Sequence, residues 1–190
     1  MPLKFVISTG GEAEAEKPAL SLRHHFHPLT KASTLNPVPT AAIALGSNLG
    51  NREQNLATAI DHLRQHGTVT ATSTFFDTAP IGYVDQPRFL NAAVLLDTQL
   101  SPQALLQALL AIELQMGRDR SHGIDKGPRH IDLDLLLYGD AVLTTPTLTL
   151  PHPAMHERTF VLRPLVQIAP AMQHPLLHRT MQQLLEDLAC

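Results

Sequence analysis

The order of periodic segments predicts an α+β fold for this 190-residue chain: a ferredoxin-like split βαβ core, with an antiparallel sheet, helices on one face and C-terminal additions. Three observations carry the prediction. From residue 41 onward, strand-like and helix-like windows follow one another as strand, helix, strand, strand, helix, strand. The last of these strands, over residues 130 to 138, has a clean period of two. Residues 1 to 40 have no such pattern: Gly10, Gly11, Glu12, Glu14, Glu16, the cluster His24, His25 and His27, then Pro37 and Pro39 read as a flexible N-terminal extension ahead of one domain over 41–190.

Residues 41 to 47 are small and apolar, as a short buried strand requires, and Gly46, Asn48 and Gly50 mark the turn behind it. Asn51 can cap the helix that follows, with Gln54 three residues on in a capping-box arrangement and Leu56, Ala59, Ile60 and Leu63 forming one stripe; Gly67 closes it. The Thr-, Val- and Phe-rich run over 68–76 predicts a second strand and Phe89 to Leu96 a third, with a Pro/Gly loop from Asp77 to Arg88 between them. Ser101 followed by Pro102 starts a helix, and Leu105, Leu109, Ile112 and Met116 are its buried stripe. The stretch Arg118 to Pro128 is too polar for a regular element and predicts a mobile loop before the last strand. Residues 141–150 read as a hairpin, Phe160 to Ile168 as a short extended or helical piece, and Thr180 with Gln183 opens a final amphipathic helix.

Composition narrows the function. A net charge of −3 and a pI near 6.4 argue against nucleic acid or an anionic membrane as partner, so any anion site must be local. No apolar run reaches the ~18 residues that span a bilayer. Cys190 is the sole cysteine, which excludes an intrachain disulfide and suits a reducing, cytoplasmic compartment. The His24–His27 tract would hold a metal only weakly and unselectively.

In the strand over 130–138, His130, Asp132 and Asp134 lie on one side, and Ile131, Leu133, Leu135 and Leu137 enter the core on the other. The two carboxylates then stand about 6.5 to 7 Å apart at their Cα atoms. Aspartate is depleted in strands, and two of them beside an apolar row make half of a magnesium site, which substrate phosphates complete. Arg118, Arg120, Lys126 and Arg129 precede the pair and Arg158 follows it, and guanidinium forks match phosphate oxygens bidentately. His152 is held stiffly between Pro151 and Pro153. In the loop Thr78 to Arg88 and the strand behind it, Phe89 and Asn91 can form a slot for a flat heterocycle, one by stacking and the other by reading donors and acceptors.

GSNLG at 46–50, FLNAAV at 89–94, IELQMGR at 112–118, GPRHIDLDLLLYG at 127–139 and LPHPAMHERTFVLRPL at 150–165 together resemble the 6-hydroxymethyl-7,8-dihydropterin pyrophosphokinases of folate biosynthesis, over residues 41–190. The resemblance implies transfer of pyrophosphate from ATP, as co-substrate, to the pterin hydroxymethyl group with release of AMP. It implies that Asp132 and Asp134 bind two Mg²⁺ ions, that Arg118, Arg120, Arg129, Thr149, His152 and Arg158 face the phosphates, and that Asp132, Asp134, Arg118 and Arg129 are the catalytic group. Phe89 and Phe160 would sandwich the pterin, with Thr78, Ile81, Asn91 and Glu113 around its polar edge. Asp132 would also relieve the hydroxyl of its proton. The chain departs from the common pattern at Lys126, where tryptophan is frequent, at His130 for threonine and at Phe89 for tyrosine. Partners are then small molecules, and a monomer suffices. Two other classes fit the residues: a two-metal phosphohydrolase using the same aspartates with water as nucleophile, and a catalytically silent ferredoxin-like binding module, which the 4% aromatic content and negative charge disfavour.

Overall fold

A computed structural model describes residues 38–118 and 127–189, so residues 1–37 of the expected extension, Arg120, Lys126 and most of the expected mobile loop lie outside the described residues. The order of elements is β1 (Thr40–Ser47), α1 (Arg52–Leu63), β2 (Thr68–Thr72), β3 (Phe76–Thr78), β4 (Phe89–Asp97), α2 (Pro102–Gln115), β5 (Asp132–Tyr138), a β6–β7 hairpin (Leu143–Thr144, Thr149–Leu150), a 3₁₀ turn (Met155–Glu157), α3 (Thr159–Ile168) and α4 (Met181–Asp187). The fold is a mixture of helices with an antiparallel sheet in the order β2-β4-β1-β5, with β3 also pairing with β4. None of the described helices is long and apolar enough to cross a membrane.

Local chemistry sets the helix ends as expected. Asn51 accepts from the Gln54 N–H and Ser101 from the Ala104 N–H. Among the described residues only Thr180 forms the full reciprocal capping box, with Gln183; at α1 the Gln54 side chain turns to Thr58 instead. The predicted strand over 68–76 is two strands. Ser73 breaks it, because its N–H donates to the Ala93 carbonyl while its hydroxyl accepts from the Ala93 N–H, and β3 then pairs anew with the start of β4.

The central strand β1 gives the sheet two unlike faces. On the first, Ile43 lies between Val94 and Leu135, and Leu45 between Ala92 and Leu133, under the apolar stripes of α1 and α2. On the second, three cross-strand rows run along the sheet: Leu95, Ala42 and Leu137; then Ala93, Ala44 and Asp134; then Asn91, Gly46 and Asp132. Helices α3 and α4 pack on this second face through Val161, Leu162, Leu165, Met181 and Leu184, so helices are not confined to one face; the C-terminal additions cover the apolar end of the other. The alternation expected in β5 also breaks. The register shifts opposite Ala42 and Ile43, where Leu136 is the extra residue, and this bulge swings Leu137 onto the aspartates' face to pack under α3 and α4.

Candidate active site

The polar end of the second face is a cleft of about 140 Å³, lined by Ala44, Gly46 and the β5 aspartates on its floor and by Thr78, Ile81, Phe89, Asn91, Arg129, Arg158 and Phe160 around it. The pairing of β3 with β4 sets Thr78 opposite Phe89 and Phe76 opposite Asn91, and the Asn91 amide nitrogen donates to the Thr78 hydroxyl at 2.8 Å. Phe160 is the second residue of α3 and reaches the cleft from above the sheet. Ile81 is exposed at the rim.

Asp132 and Asp134, two residues apart on β5, both face the cleft. Asp132 is held by two arginines: Arg118 pairs with one oxygen, and Arg129 Nη2 lies 2.8 Å from the other. Asp134 has no such partner among the ion pairs of the described residues. Burial, and then the neighbouring Asp132 carboxylate, push its carboxyl above the usual range, against the opposing charges of His152, Arg158 and Arg118. The pair is therefore short of positive charge at Asp134. Two hard carboxylates in that condition suit Mg²⁺, which binds through one or two carboxylates together with phosphate oxygens.

The arginines are positioned from outside the cleft. Arg129 has its backbone fixed twice by Asn48: the Arg129 N–H donates to Asn48 Oδ1 at 2.8 Å, and the Asn48 N–H donates to the Arg129 carbonyl at 3.1 Å. Its guanidinium lies over the Phe89 ring at 5.1 Å, and its Nε is buried without a hydrogen-bond partner among the described residues. Arg158 lies over Phe160 at 5.8 Å. Arg118 follows α2 and bridges Asp132 to Glu113.

Glu113 itself does not line the cleft, where the resemblance would put it beside the pterin-reading residues. It is buried on α2, and its Oε1 accepts from the Leu133 N–H at 2.8 Å and pairs with Arg118, so it acts on the cleft through that arginine. His152 lies beside Asp134. Its N–H donates to the Leu136 carbonyl, its Nδ1 accepts from the Ala154 N–H at 3.2 Å, and burial holds its imidazole below the ordinary value, with Arg158 adding to this and Asp134 opposing it. A neutral ring so held carries its proton on Nε2, where it can donate to a phosphate oxygen. Thr149 pairs with Thr144 in the hairpin and, like Arg118 and His152, is not among the residues that line the cleft. Arg120 lies outside the described residues.

Residues 42–170 match the family model of 7,8-dihydro-6-hydroxymethylpterin-pyrophosphokinase (HPPK). The chain belongs to this family. It is 48% identical over 130 residues to the 2-amino-4-hydroxy-6-hydroxymethyldihydropteridine pyrophosphokinase of Bacillus subtilis, an alignment that covers 67% of this chain and 77% of that one. It is 41% identical over 158 residues to the folic acid synthesis protein fol1 of Schizosaccharomyces pombe, covering 82% of this chain but 21% of that much longer one. The fold is also similar to part of the Plasmodium falciparum HPPK-DHPS crystallised with pteroate, with a TM-score of 0.63 at 16% identity over 78% of this chain and 42% of that one. The HPPK motifs thus converge in space, with GSNLG, FLNAAV, GPRHIDLDLLLYG and the block after the hairpin each contributing to one cleft. Sequence reasoning missed Ala44 and Gly46 on the floor and the strap formed by Asn48. The signal available for Gly46 was a glycine inside a strand, which marks a close approach by a ligand or another chain segment.

Proposed function

We propose a division of labour among these residues for the HPPK reaction. The chain transfers pyrophosphate from ATP to the hydroxymethyl group of 6-hydroxymethyl-7,8-dihydropterin, in folate synthesis. The hydroxymethyl oxygen forms a bond to the β-phosphorus, the bond from that phosphorus to the α–β bridging oxygen breaks, and AMP leaves with the bridging oxygen. Phosphoryl transfer of this kind asks the protein mainly for alignment and charge neutralisation.

Asp132 and Asp134 are the ligands of two Mg²⁺ ions, which when bound neutralise the triphosphate. Arg118, Arg120, Arg129, Arg158, His152 and Thr149 bind and align the phosphates. Phe89 and Phe160 hold the pterin ring, Asn91, Thr78 and Ile81 read its polar edge, and Glu113 sets Arg118. Asp132 accepts the proton of the hydroxyl. The strand order and the placement of α1 and α2 on one face support reading the core as ferredoxin-like. The reaction needs only small-molecule partners, in the cytoplasm, and no second copy of the chain.

The observation that carries the assignment is the meeting of both aspartates, two guanidiniums and two phenyl rings around one cleft. Incubation with ATP, Mg²⁺ and the pterin tests it. Equimolar AMP and pterin diphosphate are expected; inorganic phosphate without a pterin product would mean two-metal hydrolysis, and no turnover would mean a silent binding module.

A further inference from the structure

Gly46 stands at the middle of the polar row on the second face, paired with Asn91 on one side and Asp132 on the other. Its backbone does not call for glycine: it sits in regular antiparallel register and is not among the glycines of positive φ. A glycine in a central strand weakens it and needs a reason. Gly67 supplies a contrast, because a Cβ there would fall 2.2 Å from the Asp97 carbonyl oxygen, a clash with backbone that makes that glycine structural. At Gly46 the three atoms nearest a Cβ all belong to side chains of the cleft: Asn91 Oδ1 at 3.3 Å, Phe89 Cδ1 at 3.7 Å and Asp132 Cβ at 3.9 Å. A methyl there would ask the Asn91 amide to give by a few tenths of an ångström, with no backbone atom among those three neighbours, and the space it takes comes from the cleft.

We propose that Gly46 is the specificity-determining floor of the ring slot. By withholding a side chain, it lets the edge of a flat bicyclic heterocycle settle onto β1 between the Asn91 amide and the Asp132 carboxylate. That depth fixes how far the exocyclic hydroxyl lies from the phosphate-binding end. Along β1 the second face reads Ala42, Ala44, Gly46, with the smallest residue where the cleft meets the groups that read the ring and bind charge. The inference rests on the pterin assignment above and adds to it the residue that sets the ring's seat.

Gly46→Ala tests it, with affinities measured in the presence of a non-hydrolysable ATP analogue after wild-type protein has been shown to release AMP and pterin diphosphate. One added carbon in a fitted pocket should weaken 6-hydroxymethyl-7,8-dihydropterin by roughly 10- to 200-fold, and pterin lacking the hydroxymethyl arm by the same factor, while affinity for the ATP analogue stays within about two-fold. The melting temperature should stay near that of the wild type. Unchanged ring affinity, a loss confined to the substrate bearing the arm, an equal loss for the nucleotide, or failure of Gly46→Ala to fold would each overturn the inference, the last by making Gly46 structural like Gly67. Wild-type protein that makes no pterin diphosphate would instead bring down the functional reading, and this inference with it.

Discussion

The two faces of one sheet differ in what they do with the same three strands. Toward α1 and α2 the central strand presents Ala41, Ile43 and Leu45, and its neighbours present Val94, Leu96, Leu133 and Leu135, all buried in one apolar cluster. Toward α3 and α4 it presents Ala42, Ala44 and Gly46, so the middle of that face is a trough. Side chains from α3 and α4 fill one end of the trough, and the other end is left as the cleft. The first face buries large side chains and stabilises the fold; the second gives up packing along its centre and gains a place where carboxylates can be gathered. The bulge at Leu136 divides the labour within β5, because it lets one strand send two aspartates to the cleft and, one turn of the pleat later, Leu137 to the packed end of the same face.

Substitutions on each face can break this comparison. The largest effect is expected at the polar end of the second face: Asp132→Ala or Asp134→Ala should lower turnover by roughly 10²- to 10³-fold, the scale of losing one preorganised electrostatic group. Thermal melting separates the two: Asp134→Ala should stay close to wild type or rise, since that carboxylate is buried without an ion-pair partner among the described residues, whereas Asp132→Ala should melt lower, because Arg118 and Arg129 lose the carboxylate they share. Near-normal turnover in either would remove the chemistry from this face. A smaller effect of the opposite kind is expected on the first face. Ile43→Val should cost about 1 kcal/mol in urea unfolding, with turnover by the folded protein unchanged; a loss of activity without a loss of stability would mean the two faces do not divide the work.

Much of this arrangement was legible in the chain. The alternation of Asp132, Leu133, Asp134 and Leu135 fixes opposite faces by period alone, and the caps at Asn51, Ser101 and Thr180 are local hydrogen bonds that a few residues can specify. What was not legible depends on partners distant in sequence. Leu137 changes face because pairing with β1 forces in an extra residue, and nothing within Leu135–Leu136–Leu137 announces that. The break at Ser73 depends on Ala93 in another strand. Glu113 looks like any carboxylate near an arginine until the fold sets it under the Leu133 N–H, where it becomes the support of Arg118. Asn48 reads as a turn residue, yet its amide nitrogen donates to Gln86 Oε1 and the Pro87 carbonyl while its oxygen holds Arg129, tying the loop before Phe89 to the segment before Asp132.

The central claim, that the two β5 carboxylates hold the nucleotide through divalent metal, is tested most directly by calorimetric titration of a non-hydrolysable ATP analogue into wild-type protein and into Asp134→Ala, each with and without Mg²⁺. Wild-type protein should bind the analogue much more tightly with Mg²⁺ than without it, and Asp134→Ala should lose most of that difference. An Asp134→Ala protein whose binding depends on Mg²⁺ as strongly as the wild type would contradict the account.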